Sequence, residues 1–354
     1  MQKSLHNVRQ MTITEAIGHA VVRRNLQETD ARAVMDLIMD GEATPAQIAA
    51  LLVALRMKGE TGPEITGFAK AMRSRVTPIR SSRTDVIDTC GTGGDSLKTF
   101  NLSTASAIVA SAAGVPVAKH GNRAVSSKCG SADILEALGV NLMLSPEGAT
   151  RLLDEIGITF LFAPNYHPAM KHAAAPRREI GLRSIFNLVG PLTNPAGADR
   201  QLIGVYAPTL VPKMAKALRS LGCKRGVVAH GLLGLDEVAP IGATRLAIIE
   251  EKEIIDRVMQ AEEFGIVPPS ISEIACGADI GESRAKIGRA LEDAQSPEAR
   301  AVLPSAGVAI WVGGRADSIH EGVVAAREAI ASGKAAAKLK ALIEMSNQFG
   351  AVPA

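Results

Sequence analysis

Val86-Ile87-Asp88 is a short apolar run that passes into Cys90-Gly91-Thr92-Gly93-Gly94-Asp95, and Asn101-Leu102-Ser103-Thr104 then opens a helical stretch. A buried strand, a glycine loop and a helix start, in that order, constrain the fold more than any other feature of the chain. They are the parts of an α/β sheet whose strand ends carry the chemistry. The sequence beyond Asp85 keeps the pattern. Helices are expected over 104–113 and 132–138, and strands over 115–118, 159–162, 202–206, 227–230 and 246–250.

Upstream of residue 75 the pattern is purely helical. Thr12 with Glu15, Thr44 with Gln47 and Thr61 with Glu64 are capping-box pairs, each satisfying free amides at a helix start. Pro45 falls at a first helical position, where its missing N–H costs nothing. Ile48, Leu51, Leu52 and Leu55 keep helical spacing, as do Ile65, Phe68, Ala69 and Met72. Four short helices are expected, with a linker at Arg80–Thr84 or a hinge at Pro78. At 354 residues two domains are accommodated: 1–80 helical and 85–345 α/β.

Only 3% of residues are aromatic, so the core must be aliphatic, and a binder that stacks bases on exposed rings is disfavoured. The net charge of +3 is too small for a nucleic-acid stripe. Cys90, Cys129, Cys223 and Cys276 have neither zinc-site nor disulfide spacing, which points to a reducing cytoplasm. Met1 to Met11 lacks the apolar core of a signal peptide, and the longest apolar stretch, 105–118, is broken by Ser111, Gly114 and Pro116. A soluble protein with no membrane partner is expected.

Four clusters carry chemistry. In the first, Gly91, Gly93 and Gly94 let backbone amides approach a phosphate, and Asn101, Ser103 and Thr104 add donors where a helix begins. It is neither a P-loop nor a dinucleotide fingerprint. The second, Lys119-His120-Gly121-Asn122-Arg123 through Ser126-Ser127-Lys128 to Gly130-Ser131, suits a diphosphate and a ribose phosphate. The third, Asp236-Glu237, is an adjacent acid pair after a strand, most useful beside a cation such as magnesium. The fourth runs from Asn165-Tyr166-His167 and Met170 through Arg177-Arg178 to Asn187 and Asn194; an arginine fork there can grip a carboxylate. A packed or pocket-lining role suits His167 better than proton transfer.

These clusters, in this order, resemble the anthranilate phosphoribosyltransferases, over about 12–340 and most closely over 88–194. The resemblance implies a small helical N-terminal domain, completed by helices around 168–195 and joined by hinges to a larger α/β domain with a mostly parallel sheet, of nucleoside phosphorylase/phosphoribosyltransferase type. It implies a homodimer through the helical domains. Phosphoribosyl pyrophosphate would be held by Gly91, Gly94, Asp95, Thr99, Asn101, Leu102, Ser103, Thr104, Lys119, His120, Gly121, Asn122, Arg123, Ala124, Val125, Ser126, Ser127 and Ser131. Two Mg2+ ions would sit on Ser103, Asp236 and Glu237. Anthranilate would lie near Gly91, Asn122 and Arg177, with His120, His167 and Met170 along its entry. The ribose C1 would lose pyrophosphate as the aromatic amine attacks from the opposite face. That amine is already neutral, so no catalytic base is assigned.

The sequence departs from the family pattern at Leu233, normally acidic; at Cys129, commonly serine; and at Pro176, beside Arg177. Gly281-Glu282-Ser283-Arg284 and Leu303-Pro304-Ser305-Ala306 replace the usual asparagine-alanine signatures. A nucleoside phosphorylase of the same fold is the first rival reading, and the Lys119-His120-Gly121-Asn122 run argues against it. A nucleic-acid-binding relative is the second; it would be expected to lose part of the Asp236-Glu237 or Asn122/Arg177 pairs and to carry a heavier basic excess.

Overall fold

In the computed structural model, residues 10–124, 129–250 and 253–349 are described. The first helices are α1 (Ile13–Val21), α2 (Glu28–Met39), α3 (Pro45–Lys58) and α4 (Gly62–Arg73). All three expected capping boxes form: the Glu15, Gln47 and Glu64 side chains accept from the amides of Thr12, Thr44 and Thr61. Pro45 takes the first position of α3, and Gly59 ends that helix at φ +86°, a conformation that favours glycine. The apolar stripes of α3 and α4 are buried.

The chain then enters a seven-stranded sheet of order β3-β2-β1-β4-β5-β6-β7. In chain order, β1 (Ile87–Asp88) leads to α5 (Leu102–Ala112), β2 (Val117–Gly121), α6 (Ser131–Ala137), α7 (Pro146–Ile156), β3 (Ile158–Phe162) and α8 (Ala163–Tyr166). After α9 (Lys171–Ile180) and α10 (Ile185–Val189) come β4 (Arg200–Gly204), α11 (Val211–Ser220), β5 (Arg225–Gly231), β6 (Ala243–Glu250) and β7 (Glu253–Gln260). The strands from β3 to β5 pair in parallel, and β6 and β7 complete the sheet antiparallel. β7 has no counterpart in the sequence reading, because most of its residues are exposed on both faces and show no alternation. The last helices are α12 (Ile271–Ile274), α13 (Ile280–Glu292), α14 (Pro297–Val312), α15 (Ile319–Ala331) and α16 (Lys334–Gln348). Helix α14 is mostly apolar and buried along almost its whole length, as expected of a helix inside a large core.

Two units result. One comprises Met1–Arg75 and Pro168–Gly190, so α9 and α10 belong with the first four helices; the other comprises Val76–His167 and Pro191–Ala354. The crossing after Arg75 precedes the linker expected at Arg80–Thr84. Ser81, Ser82 and Arg83 are instead tied to Asp154 of α7, so that stretch belongs to the sheet unit.

Candidate active site

β2 and β4 flank β1, and the chain leaves β1 in one direction for β2 and β3 but later returns on its other side for β4 and β5. Such a reversal opens a crevice at the carboxyl ends of the strands. The first glycine loop lies there: Gly91 bridges Gly204 at the end of β4, and the Thr92 N–H donates to the Gly204 carbonyl at 2.9 Å. Gly93 and Gly94 hold φ of +70° and +109°. Asp95 folds the rest of the loop, accepting from the amides of Leu97 (2.7 Å) and Thr99 (2.5 Å) and from the Thr99 hydroxyl (2.6 Å). The loop ends at the start of α5, where the Thr104 hydroxyl is buried with no hydrogen-bond partner among the described residues. A polar atom buried without a partner is costly and suits a ligand that would supply one.

Beneath the loop lies a buried polar cluster. Asp88 accepts the His120 N–H at 3.1 Å and the Cys90 thiol at 3.3 Å, and Lys119 donates to the Thr89 carbonyl at 2.6 Å. Burial raises the Asp88 carboxyl, opposed by Asn194 and the Lys119 charge. The Lys119 ammonium thus braces the floor of the first loop. His120 and His167 approach through their Nε2 atoms at 3.2 Å, and burial pushes His167 down to about 4. A neutral, packed histidine fits the lining role better than proton transfer.

The second loop leaves β2 at Asn122. Arg123 is paired with Asp133 and Glu136 and lies over the Phe162 ring, while Ser131 and Ala132 bond the Asn122 carbonyl. Val125, Ser126 and Ser127 lie outside the described residues. Leu102 differs from the other expected phosphoribosyl contacts: its side chain is in the core and its amide donates to Phe100 at 2.6 Å.

Asp236 and Glu237 follow β5 and come to the same crevice. The Asp236 carbonyl passes so close to β4 that a Cβ on Gly204 would sit 1.7 Å from it. A Cβ on Gly91 would be 3.3 Å from the Asp236 carboxylate. Glu237 accepts from Ser103 and lies 3.4 Å from the Ser305 hydroxyl. Burial, then the Asp236 charge, push its carboxyl up to about 8, against the pull of Lys119 and Ser103. Two neighbouring acids that resist ionising together suit a divalent cation. Among the described residues no cluster of three or more His, Cys, Asp or Glu forms. Two carboxylates and a hydroxyl instead match Mg2+, which commonly shares its shell with substrate phosphates. Sequence reasoning missed Gly204 and Ser305; the proximity that gives them a role arises from strands and helices remote in sequence.

In the helical unit, α9 continues through Pro176. Arg177 is half-buried, lies 4.8 Å over the Phe186 ring and makes no ion pair among the described residues; burial lowers its pKa. Arg178 is exposed. Asn187 caps α10 by accepting the Ser184 amide at 3.0 Å, a structural role.

Fold and site together define a glycosyl transferase. Residues 14–76 match the family described as "Glycosyl transferase family, helical bundle domain", and residues 83–336 match its "a/b domain". The anthranilate phosphoribosyltransferase of Geobacter sulfurreducens is 49% identical over 350 residues, covering 95% of this chain and 100% of that protein. That of Moorella thermoacetica is 48% identical over 336 residues, covering 95% and 98%. The crystal structure of the Thermus thermophilus enzyme matches with a TM-score of 0.88 at 43% identity, covering 94% of this chain and 99% of that one. A Saccharomyces cerevisiae anthranilate phosphoribosyltransferase in complex with PRPP and Mg matches with a TM-score of 0.84 at 25% identity, covering 95% and 98%. The chain belongs to the anthranilate phosphoribosyltransferase family.

Proposed function

We infer that this chain transfers the phosphoribosyl group of 5-phosphoribosyl 1-pyrophosphate to the amine of anthranilate, giving N-(5-phosphoribosyl)anthranilate and pyrophosphate in tryptophan biosynthesis. The observation that carries the reading is the convergence of the first glycine loop, the α5 start with its unpartnered Thr104 hydroxyl, and Asp236-Glu237 at one switch point of the sheet. The relative solved with PRPP and Mg and the one solved with 4-fluoroanthranilate support the same substrates here.

The glycine loop around Gly91, Gly93 and Gly94, which lets the diphosphate approach the backbone closely, and the donors of α5 would bind and orient the diphosphate; fixed donors aimed at a developing anion need no reorganisation as it departs. Ser103, Asp236 and Glu237 would hold Mg2+, two ions by family likeness. When bound, Mg2+ neutralises charge growing on the leaving pyrophosphate. On the helical unit, Arg177 offers a desolvated guanidinium lacking an acid among the described residues, which suits the anthranilate carboxylate. By family likeness the chain would form a homodimer through the helical unit.

The decisive experiment follows the loss of anthranilate fluorescence with PRPP and Mg2+. Turnover that stops with chelator is expected, and the double variant Asp236→Ala/Glu237→Ala should lose about 10²–10³-fold or more. Near-normal turnover by that variant would overturn the metal assignment; no turnover by the unaltered protein would overturn the reading itself.

A further inference from the structure

The second loop has a neck built on one carboxylate. Asp133, in the first turn of α6, accepts through Oδ2 from the amide of Ala124 on one flank of the loop and from the amide of Gly130 on the other, both at 2.9 Å. Its Oδ1 accepts from Arg123 Nη1 at 3.1 Å. The flanks are closely packed: a Cβ on Gly130 would lie 2.4 Å from the Ala124 backbone nitrogen, and one on Gly121 would lie 2.4 Å from the Ser131 side-chain hydroxyl. The Asn122 carbonyl closes the same neck by accepting the Ala132 amide at 3.2 Å. Glu136, one helical turn on, accepts from the same Arg123 Nη1 at 2.7 Å and from Nη2 at 2.9 Å.

We propose that Asp133 is a positioning residue for phosphoribosyl pyrophosphate, its carboxylate closing the neck of the second loop so that Asn122, Arg123 and Ala124 are pre-set for the phosphates. The proposal rests on the function inferred above. An ordinary capping residue would satisfy only the Gly130 amide of its own helix. Asp133 also binds a second amide across the loop and an arginine of the same flank, so the constraint reaches beyond the helix. Burial works to raise its carboxyl; the two amides and Arg123 outweigh that and hold it below the usual carboxylate range, so it is ionised at neutral pH. Ionised acceptors make the stronger hydrogen bonds.

The test compares Asp133→Asn and Asp133→Ala with the unaltered full-length enzyme by calorimetric titration of PRPP with Mg2+, steady-state kinetics and amide hydrogen exchange. Asp133→Asn should weaken PRPP binding on the order of tenfold, and Asp133→Ala more, since charge-assisted bonds are lost. The Michaelis constant for anthranilate should change less than that for PRPP, since of its expected contacts only Asn122 lies at the neck. Exchange at the Ala124 and Gly130 amides should rise in Asp133→Asn, whose isosteric side chain keeps the fold. Unchanged PRPP affinity in Asp133→Asn, with unaltered enzyme that binds normally, overturns the proposal. An equal loss in Glu136→Gln also overturns it, because the arginine pairing rather than the neck would then set affinity. Failure of the unaltered enzyme to bind PRPP would instead overturn the functional reading.

Discussion

Arg177 and Arg178 are one helical step of about 100° apart, and the structure separates them cleanly: the first lies on Phe186, the second is exposed. Pro176 leaves the helix running and does not turn Arg178 inward. If Arg177 grips the anthranilate carboxylate, Arg177→Ala removes a charge-assisted contact of roughly 1.5–3 kcal/mol, a rise of about 10- to 200-fold in the anthranilate Michaelis constant. The constant for PRPP should hardly move, and Arg178→Ala should behave like the unaltered enzyme. Steady-state kinetics with each substrate varied in turn checks this. A larger effect from Arg178→Ala would shift the role by one residue; equal losses for both substrates would make Arg177 structural. At this scale the sequence offered the residue types suited to anions and metals, since guanidinium, carboxylate and glycine chemistry is local. It could not tell that Lys119 reaches the Thr89 carbonyl or that Leu102 is in the core.

At the scale of elements, helix starts were the most legible feature, because a capping box involves residues three apart and needs no tertiary partner. Strand ends were less so: the expected strand at 202–206 is β4 at Arg200–Gly204, and 115–118 is β2 at Val117–Gly121. The later end of β2 matters, since it carries Lys119 and His120 as strand residues with fixed side-chain directions. Gly204 shows what pairing adds. Gly204→Ala would drive a methyl into the Asp236 backbone and should cost about 1–3 kcal/mol through overpacking. It should also raise the Mg2+ concentration needed for half-maximal rate, because the acid pair must shift. Gly288→Ala in α13 meets nothing within 4 Å and should stabilise by up to about 1 kcal/mol through helix propensity. Urea midpoints of the two variants, moving in opposite directions, check the pair; a neutral Gly204→Ala would contradict the close approach.

For the whole molecule, a ligand that binds only the folded chain stabilises it by mass action, at 100 times its dissociation constant by about 2.7 kcal/mol. PRPP with Mg2+ should therefore raise the melting temperature by a few degrees, and chelator should remove most of the gain; a shift that survives chelation would count against the acid pair as the metal site. The sequence by itself determined the class of fold, the helical start, the α/β alternation and the two glycine loops, because periodicity, capping and turn chemistry act over a few residues. It also carried the family likeness on the run from Lys119 to Lys128. Only the tertiary structure decided that the chain crosses between the two units after Arg75, that β6 and β7 add to the sheet antiparallel, and that Gly91, Gly204 and Asp236 meet at one switch point. The contacts of Gly91 with Gly204 and Asp236 join residues more than a hundred positions apart, and their register is fixed by packing and hydrogen-bond geometry that no short window of sequence contains.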